Sequence, residues 1–175
     1  MRTLPALACL AALTACGPIT FPAKLQGTAD VEGSALGQLL SVFPQVGSFA
    51  SLNFDENADF KNNKTTRDHV KSMRLTSLTV QIISPDTQDF SFLDSIEFDA
   101  SADGLPTQRV ASKANIGALG LKAPKPILVL DLDDVDVSPW VRAPTMTITT
   151  KGAGRQPGQT TRLEAKIDFI VGVGL

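Results

Sequence analysis

Leu163-Glu164-Ala165-Lys166-Ile167-Asp168-Phe169-Ile170-Val171 decides the fold. Leu163, Ala165, Ile167, Phe169 and Val171 fall on one side of an extended chain, and Glu164, Lys166 and Asp168 on the other. A period of two is the pattern of a strand buried on one face. The same period recurs upstream. Thr145 to Thr150 sets Met146 and Ile148 against Thr145, Thr147 and Thr149, and the Gly/Pro-rich stretch Gly152 to Gln159 predicts a hairpin loop joining it to the last strand. Pro126 to Leu132 places Leu128, Leu130 and Leu132 on one face and Ile127, Val129 and Asp131 on the other. Ser95 to Ala102 turns Ile96, Phe98 and Ala100 inward, and Gln108 to Asn115 returns after the turn Asp103-Gly104-Leu105-Pro106 with Val110 inward.

Val70 to Ser84 is the longest candidate strand. Leu78, Val80 and Ile82 share one phase, but Met73 and Leu75 hold the other, so the alternation slips near Thr76 and Ser77. A β-bulge there returns both sets to one core. Ile83 and Ile170 face away from their strands' main apolar sets. Lys24 to Val31 and Phe49 to Phe54 alternate more loosely and read as two further strands. Ser34 to Phe43 reads as one short helix: Leu36, Leu39, Leu40 and Phe43 recur at helical spacing, Ser34 is placed to cap it and Pro44 to stop it. Asp55 to Asp68 is a polar loop with a helical turn around Phe60, and Ser138-Pro139-Trp140-Val141 is a helical turn that Ser138 caps.

About seven to eight strands, frequent turns and no strand–helix alternation predict an all-β fold, an antiparallel immunoglobulin-like β-sandwich with one short helix. Nine Phe, one Trp and no Tyr supply its aromatic core, with Trp140 expected to plug one end.

The N-terminus reads differently. One positive charge, Arg2, precedes the apolar run Leu4 to Leu13, which is too short for a hydrocarbon core that needs roughly 20 residues. Leu13-Thr14-Ala15-Cys16 follows. This resembles the lipobox of a bacterial lipoprotein precursor. The resemblance implies a signal peptide over 1–15 and a mature N-terminal Cys16 carrying diacylglycerol and an amide-linked fatty acid such as palmitate. It implies a tether over 16–23, a single sandwich domain over 24–175, and a partner in the membrane itself. Gly17 in place of Asp points to the outer membrane. The alternative is an ordinary secreted protein with Cys16 a free thiol.

Composition narrows what such a domain does. Cleavage removes Cys9 and Arg2, so no cysteine remains beyond Cys16, and 15 basic residues stand against 18 acidic ones, a net charge of −3. That balance argues against nucleic acid and against a polybasic lipid grip. Scarce Trp and Tyr lower the case for sugar stacking.

The sharpest polar constellation is Asp131, Asp133, Asp134 and Asp136. Such carboxylates suit Ca²⁺, which takes six to eight oxygens, with Asp99 and Asp103 as further donors. The spacing is not that of an EF-hand, and alternation splits the acids between two faces. The plainer reading is a strand end with outward acids, and no metal or cofactor is assigned. His69, the only histidine, has no serine elbow beside it. Asp89, Asp94 and Glu97 flank an apolar corner at Phe90–Leu93 and form the one carboxylate pairing worth testing for acid–base work. Gly152-Ala153-Gly154-Arg155 lacks the Gly-Lys-Ser/Thr ending of a phosphate loop.

Arg74 to Val80, Asp89 to Ile96 and Arg109-Val110-Ala111 resemble uncharacterised bacterial lipoproteins with a β-sandwich domain. The layout is distantly similar to the late-embryogenesis-abundant type 2 sandwich. The expectation is a membrane-anchored envelope lipoprotein with a non-enzymatic structural or protein-binding role and an envelope protein partner. A carrier of an apolar ligand between the sheets and an envelope hydrolase are the alternatives.

Overall fold

The computed structural model describes residues 19–40 and 43–174. The leader and Cys16 lie outside the described residues. Eight strands are present among those described: β1 (Ile19–Val31), β2 (Val70–Ser84), β3 (Leu93–Ala102), β4 (Gln108–Ala114), β5 (Ile127–Val129), β6 (Asp131–Leu132), β7 (Met146–Gly154) and β8 (Thr161–Val173). Two short helices, α1 (Ala58–Asn62) and α2 (Ser138–Val141), sit in the connections. One sheet has the order β1-β8-β2-β5 and the other β6-β4-β3-β7, every neighbour antiparallel. The all-β antiparallel sandwich is the predicted architecture.

β8 lies inside the first sheet, and its five alternating apolar residues are all buried. β2 beside it carries the predicted bulge, with a register shift between Leu75 and Ser77. Met73 before the shift and Leu78 after it are both fully buried, so the extra residue brings both phases to one core. All nine Phe are buried. Phe21, Phe60, Phe54 and Phe169 form a chain of ring contacts at 5.3–6.5 Å between β1, α1 and β8. Each such side chain contributes about 2 kcal/mol by leaving water. Trp140 is buried too, and its indole N–H donates to the Pro106 carbonyl at 2.8 Å, closing one end.

Several expectations are corrected. Thr145–Thr150 does not pair with the last strand. It opens β7, which pairs with β3 in the second sheet, while β8 lies between β1 and β2 in the first. The segment after Gly154 therefore crosses between sheets and is no hairpin. The strand predicted over Pro126–Leu132 divides instead: β5 joins the first sheet and β6 the second, with buried Leu130 at the crossover. Leu132 consequently turns outward, 36 % exposed.

Ser34–Phe43 forms no helix across its described residues. Gly37 takes a left-handed φ of 57°, and Leu36 and Leu39 are exposed. The backbone bonds go elsewhere: Ser34 N–H donates to Pro157, Leu40 N–H to Gly154, and Gln38 accepts from Gln156. Bonds to the β7–β8 crossing outcompete a short helix whose turn would hold glycine. Phe49–Phe54 is not a strand either. Gly47–Phe49 and Phe54–Glu56 are 3₁₀ turns, with a lone bridge between Leu52 and Met146. β1 starts at Ile19, inside the stretch assigned to the tether, and Ile170 remains exposed at the surface.

The segment from Gln45 to Asp59 closes one flank of the sandwich by capping two edge strands. On β7, the Gln45 carboxamide accepts from Thr150 N–H at 2.9 Å and donates to Thr150 C=O at 2.8 Å, as a neighbouring strand would. Leu52 and Met146 exchange both backbone bonds. On β1, Asp59 accepts from Lys24 N–H, Asn57 donates to Lys24 C=O, and Ser48 donates to Gln26 C=O. Side chains thus satisfy ladder groups that an edge otherwise leaves open.

Candidate functional site

The acidic run follows from the crossover at Leu130. Once the chain leaves the first sheet, Asp131 joins β6 and the remaining acids fan out along the rim of the second sheet. Each meets its own partner. Asp131 pairs with Lys113 at 2.8 Å, Asp133 with Arg109 at 2.8 Å, and Asp134 with Arg74. Asp136 accepts the backbone N–H of Met73 at 3.0 Å and of Ser138 at 2.9 Å. Ser138 is therefore the first residue of α2 and not its cap: the N-cap position is Val137, and the Ser138 N–H goes to Asp136. Burial alone would raise the Asp136 pKa, but the Met73 and Ser138 bonds and the charge of Arg74 bring it below the ordinary carboxylate value. The four carboxylates diverge, and no group of three or more metal-ligating side chains forms among the described residues.

A second charged strip crosses the outer face of the second sheet. Asp99 is buried, and its carboxylate lies 2.6 Å from Lys151 Nζ. Arg109 is its cross-strand neighbour on β4, and Glu97 faces Lys151 on β7. The hydrogen bond to Asp99 holds the Lys151 pKa above its usual range, and that to Asp133 does the same for Arg109. Alternating signs across four strands make this strip a cross-strand lattice. The sequence offers Asp99 as a further donor to the acidic run, but alternation places it on the outer face, and its burial beside Lys151 comes from neighbours on other strands.

The other candidates separate. His69 ends a 3₁₀ turn and is exposed, with Thr66 Oγ1 3.4 Å from its Nδ1. Asp89 caps the 3₁₀ turn Phe90–Phe92 through Ser91 N–H and faces Lys122 at 3.7 Å. Hydrogen bonds from Ser91 lower its pKa. Glu97 meets Lys151 across β3–β7, and Asp94 is exposed. The three acids therefore do different jobs. Gly152, Ala153 and Gly154 lie within β7, paired to β3, and form no loop that cradles a phosphate.

Two surface depressions stand out. A cleft of about 200 Å³ is lined by Ile19, Phe21, Asn63, Lys64, His69 and Val173 where β1 begins and β8 ends. A polar trough of about 370 Å³ runs over the outer face of the first sheet between Lys24, Gln26, Ser77, Thr79, Lys166 and Asp168.

No family model matches the chain, and no curated protein matches it. Among solved structures, the decameric BFDV capsid protein is similar at a TM-score of 0.45 and 9 % identity, covering 90 % of this chain and 100 % of that one. The 60-mer BFDV capsid protein is similar at a TM-score of 0.41 and 10 % identity, covering 90 % and 93 %.

Proposed function

We propose that this chain is a lipid-anchored bacterial envelope lipoprotein whose sandwich works by contact with another protein, without catalysis. The observation that carries the reading is the position of Leu13-Thr14-Ala15-Cys16 directly before the first strand. Only Gly17 and Pro18 separate Cys16 from Ile19, where β1 begins. That span reaches at most about 10 Å, so a lipid on Cys16 holds the domain close against the bilayer. Two or three acyl chains on one residue give lasting attachment where one gives marginal binding.

The contact role rests on the polar groups. Asp131, Asp133, Asp134, Asp136, Asp89 and Asp99 each hold a lysine, an arginine or a backbone amide. Such bonds keep turns and strands in place and leave these carboxylates committed to the fold. Confinement to a membrane raises the effective concentration of partners in the same plane, so a modest binding face suffices.

The test is intact-mass analysis of the chain purified from envelopes, with fatty-acid labelling of the wild type and of Cys16→Ser. The expected result is a mature chain starting at an acylated Cys16, and an unprocessed, unlabelled variant. An unmodified terminus, or equal labelling of the variant, overturns the anchor.

A further inference from the structure

The lysines of this chain fall into two groups. Of the nine, Lys24, Lys113, Lys122, Lys125, Lys151 and Lys166 each sit in an ion pair. Among the described residues, Lys61, Lys64 and Lys71 form none, and all three belong to the end of the sandwich where β1 begins and β8 ends. Lys61 is in α1. Lys64 follows in a turn that the Thr65 N–H closes on the Phe60 carbonyl at 3.1 Å. The Lys71 methylenes run beside Gly174, where an added Cβ would meet Cε at 3.1 Å. Lys64, His69 and Gly174 line the cleft of about 200 Å³ together with the apolar Ile19, Phe21 and Val173. The Gly174 N–H donates to the His69 carbonyl at 3.1 Å and fixes one wall. The acids of the same connection lie elsewhere. Asp55 and Asp68 face Arg67, Asp59 accepts the Lys24 N–H, and neither these nor Glu56 lines the cleft. Ile19, three residues past Cys16, is 69 % exposed at its edge.

We propose that this cleft is a seat for the phosphate of an anionic phospholipid, and that it turns this end of the sandwich onto the bilayer. The inference rests on the lipid proposed for Cys16. Three residues hold Cys16 within about 10 Å of Ile19, so an anchored domain brings the surface around Ile19 to the membrane first. That surface has the composition of an interface with lipid. Ile19 and the apolar lining suit the acyl boundary, and lysines lie over apolar surface with their ammonium groups among the headgroups. The diacylglycerol on Cys16 carries no phosphate itself, so the charged partner is a neighbouring phospholipid of the same leaflet. An acidic protein would also meet the lysines, but it gives no reason for their place beside the anchor and an exposed isoleucine. Each lysine near an anionic surface is worth roughly a five-fold gain in affinity. Three are too few to hold a domain and enough to orient one already held. This local role is compatible with the acidic balance of the whole chain.

The test uses the acylated full chain in vesicles of phosphatidylcholine, with and without phosphatidylglycerol. A fluorophore is attached at Asn62→Cys, in the helix beside the cleft, or at Val129→Cys, on β5 and far along β2 from it. Spin-labelled headgroups quench whichever site lies against the bilayer. Quenching at position 62 is expected to exceed that at 129 several-fold and to rise with phosphatidylglycerol. It is expected to fall several-fold when Lys64→Gly is combined with Lys71→Gln. Lys64 has a left-handed φ of 51°, which glycine adopts freely, so Lys64→Gly removes the charge and keeps the turn. Circular dichroism checks the fold. Equal quenching at the two sites, quenching at 62 that ignores phosphatidylglycerol, or wild-type quenching in the combined variant each overturns the seat. Intact mass on the same sample separates the two ideas. If the lipid is present and these responses are missing, the seat alone fails. If the lipid is absent, the anchor fails, and sedimentation of the unlabelled chain with the same vesicles decides the seat. Binding that needs both phosphatidylglycerol and Lys64 supports it, and any other result overturns it.

Discussion

The Asp136 carboxylate accepts the Met73 backbone N–H at 3.0 Å, fastening the acidic segment to the first part of β2. The same oxygen accepts from Ser138 N–H at 2.9 Å and starts α2, which carries Trp140. Asp136→Ala leaves two amides in a half-buried site without an acceptor. The expected cost is about 2–3 kcal/mol, and Asp136→Asn, which keeps the acceptor, costs about 1 kcal/mol. Urea unfolding followed by Trp140 fluorescence measures both.

The acid sensitivity of the fold follows from the same residue. Asp136 and Asp89 both have folded pKa values below the ordinary 3.8. A carboxylate with a depressed folded pKa contributes stability that is fully present above its unfolded value and is lost as pH falls through the folded one. Stability is therefore expected to hold from neutrality to about pH 5 and to decline below roughly pH 4. Asp136→Asn shallows that decline. An unfolding midpoint that is flat down to pH 2, or a variant with the wild-type slope, contradicts this account.

Gly152 in β7 leaves room for the Phe43 ring. A Cβ at Gly152 would stand 2.3 Å from Phe43 Cδ2, too close for any carbon contact. Gly152→Ala is expected to cost about 1–3 kcal/mol through the shift it forces. Adding Phe43→Leu should recover part of that loss, because the smaller side chain clears the site. Thermal melts of the two single variants and the double variant give the coupling.

Gln45 replaces a strand at the edge of β7. Gln45→Ala strips both bonds from Thr150, which is buried. The expected loss is about 1–3 kcal/mol, together with faster amide exchange at Thr150. The newly open edge should also raise the tendency to aggregate on heating. Unchanged exchange at Thr150 contradicts the capping role.

The legible part of this fold lies where one buried face meets one solvated face. β8 shows five apolar residues in strict alternation, and the phase slip in β2 announces its bulge. Both are local consequences of side chains alternating across a strand. Pairing was not legible in the same way. β7 and β8 adjoin in sequence and alternate well, yet they sit in different sheets, because the six residues from Arg155 to Thr160 are enough to cross the layer. Ser34–Phe43 reads as a helix because four apolar residues stand at helical spacing around a single glycine. In the folded chain, Gly37 and the backbone bonds of Ser34, Gln38 and Leu40 serve the neighbouring crossing instead. The acidic run was visible at once, but its role depended on cations as distant in sequence as Arg74. No spacing rule reaches across such a separation.

Leu130 has a mechanical consequence. It is the sole residue between the last position of β5 and the first of β6, so a single peptide run is shared by both layers. No slack remains for one layer to slide or melt while the other stays intact. A pull on either should load both, and amide protection in the two sheets should vanish in one cooperative event.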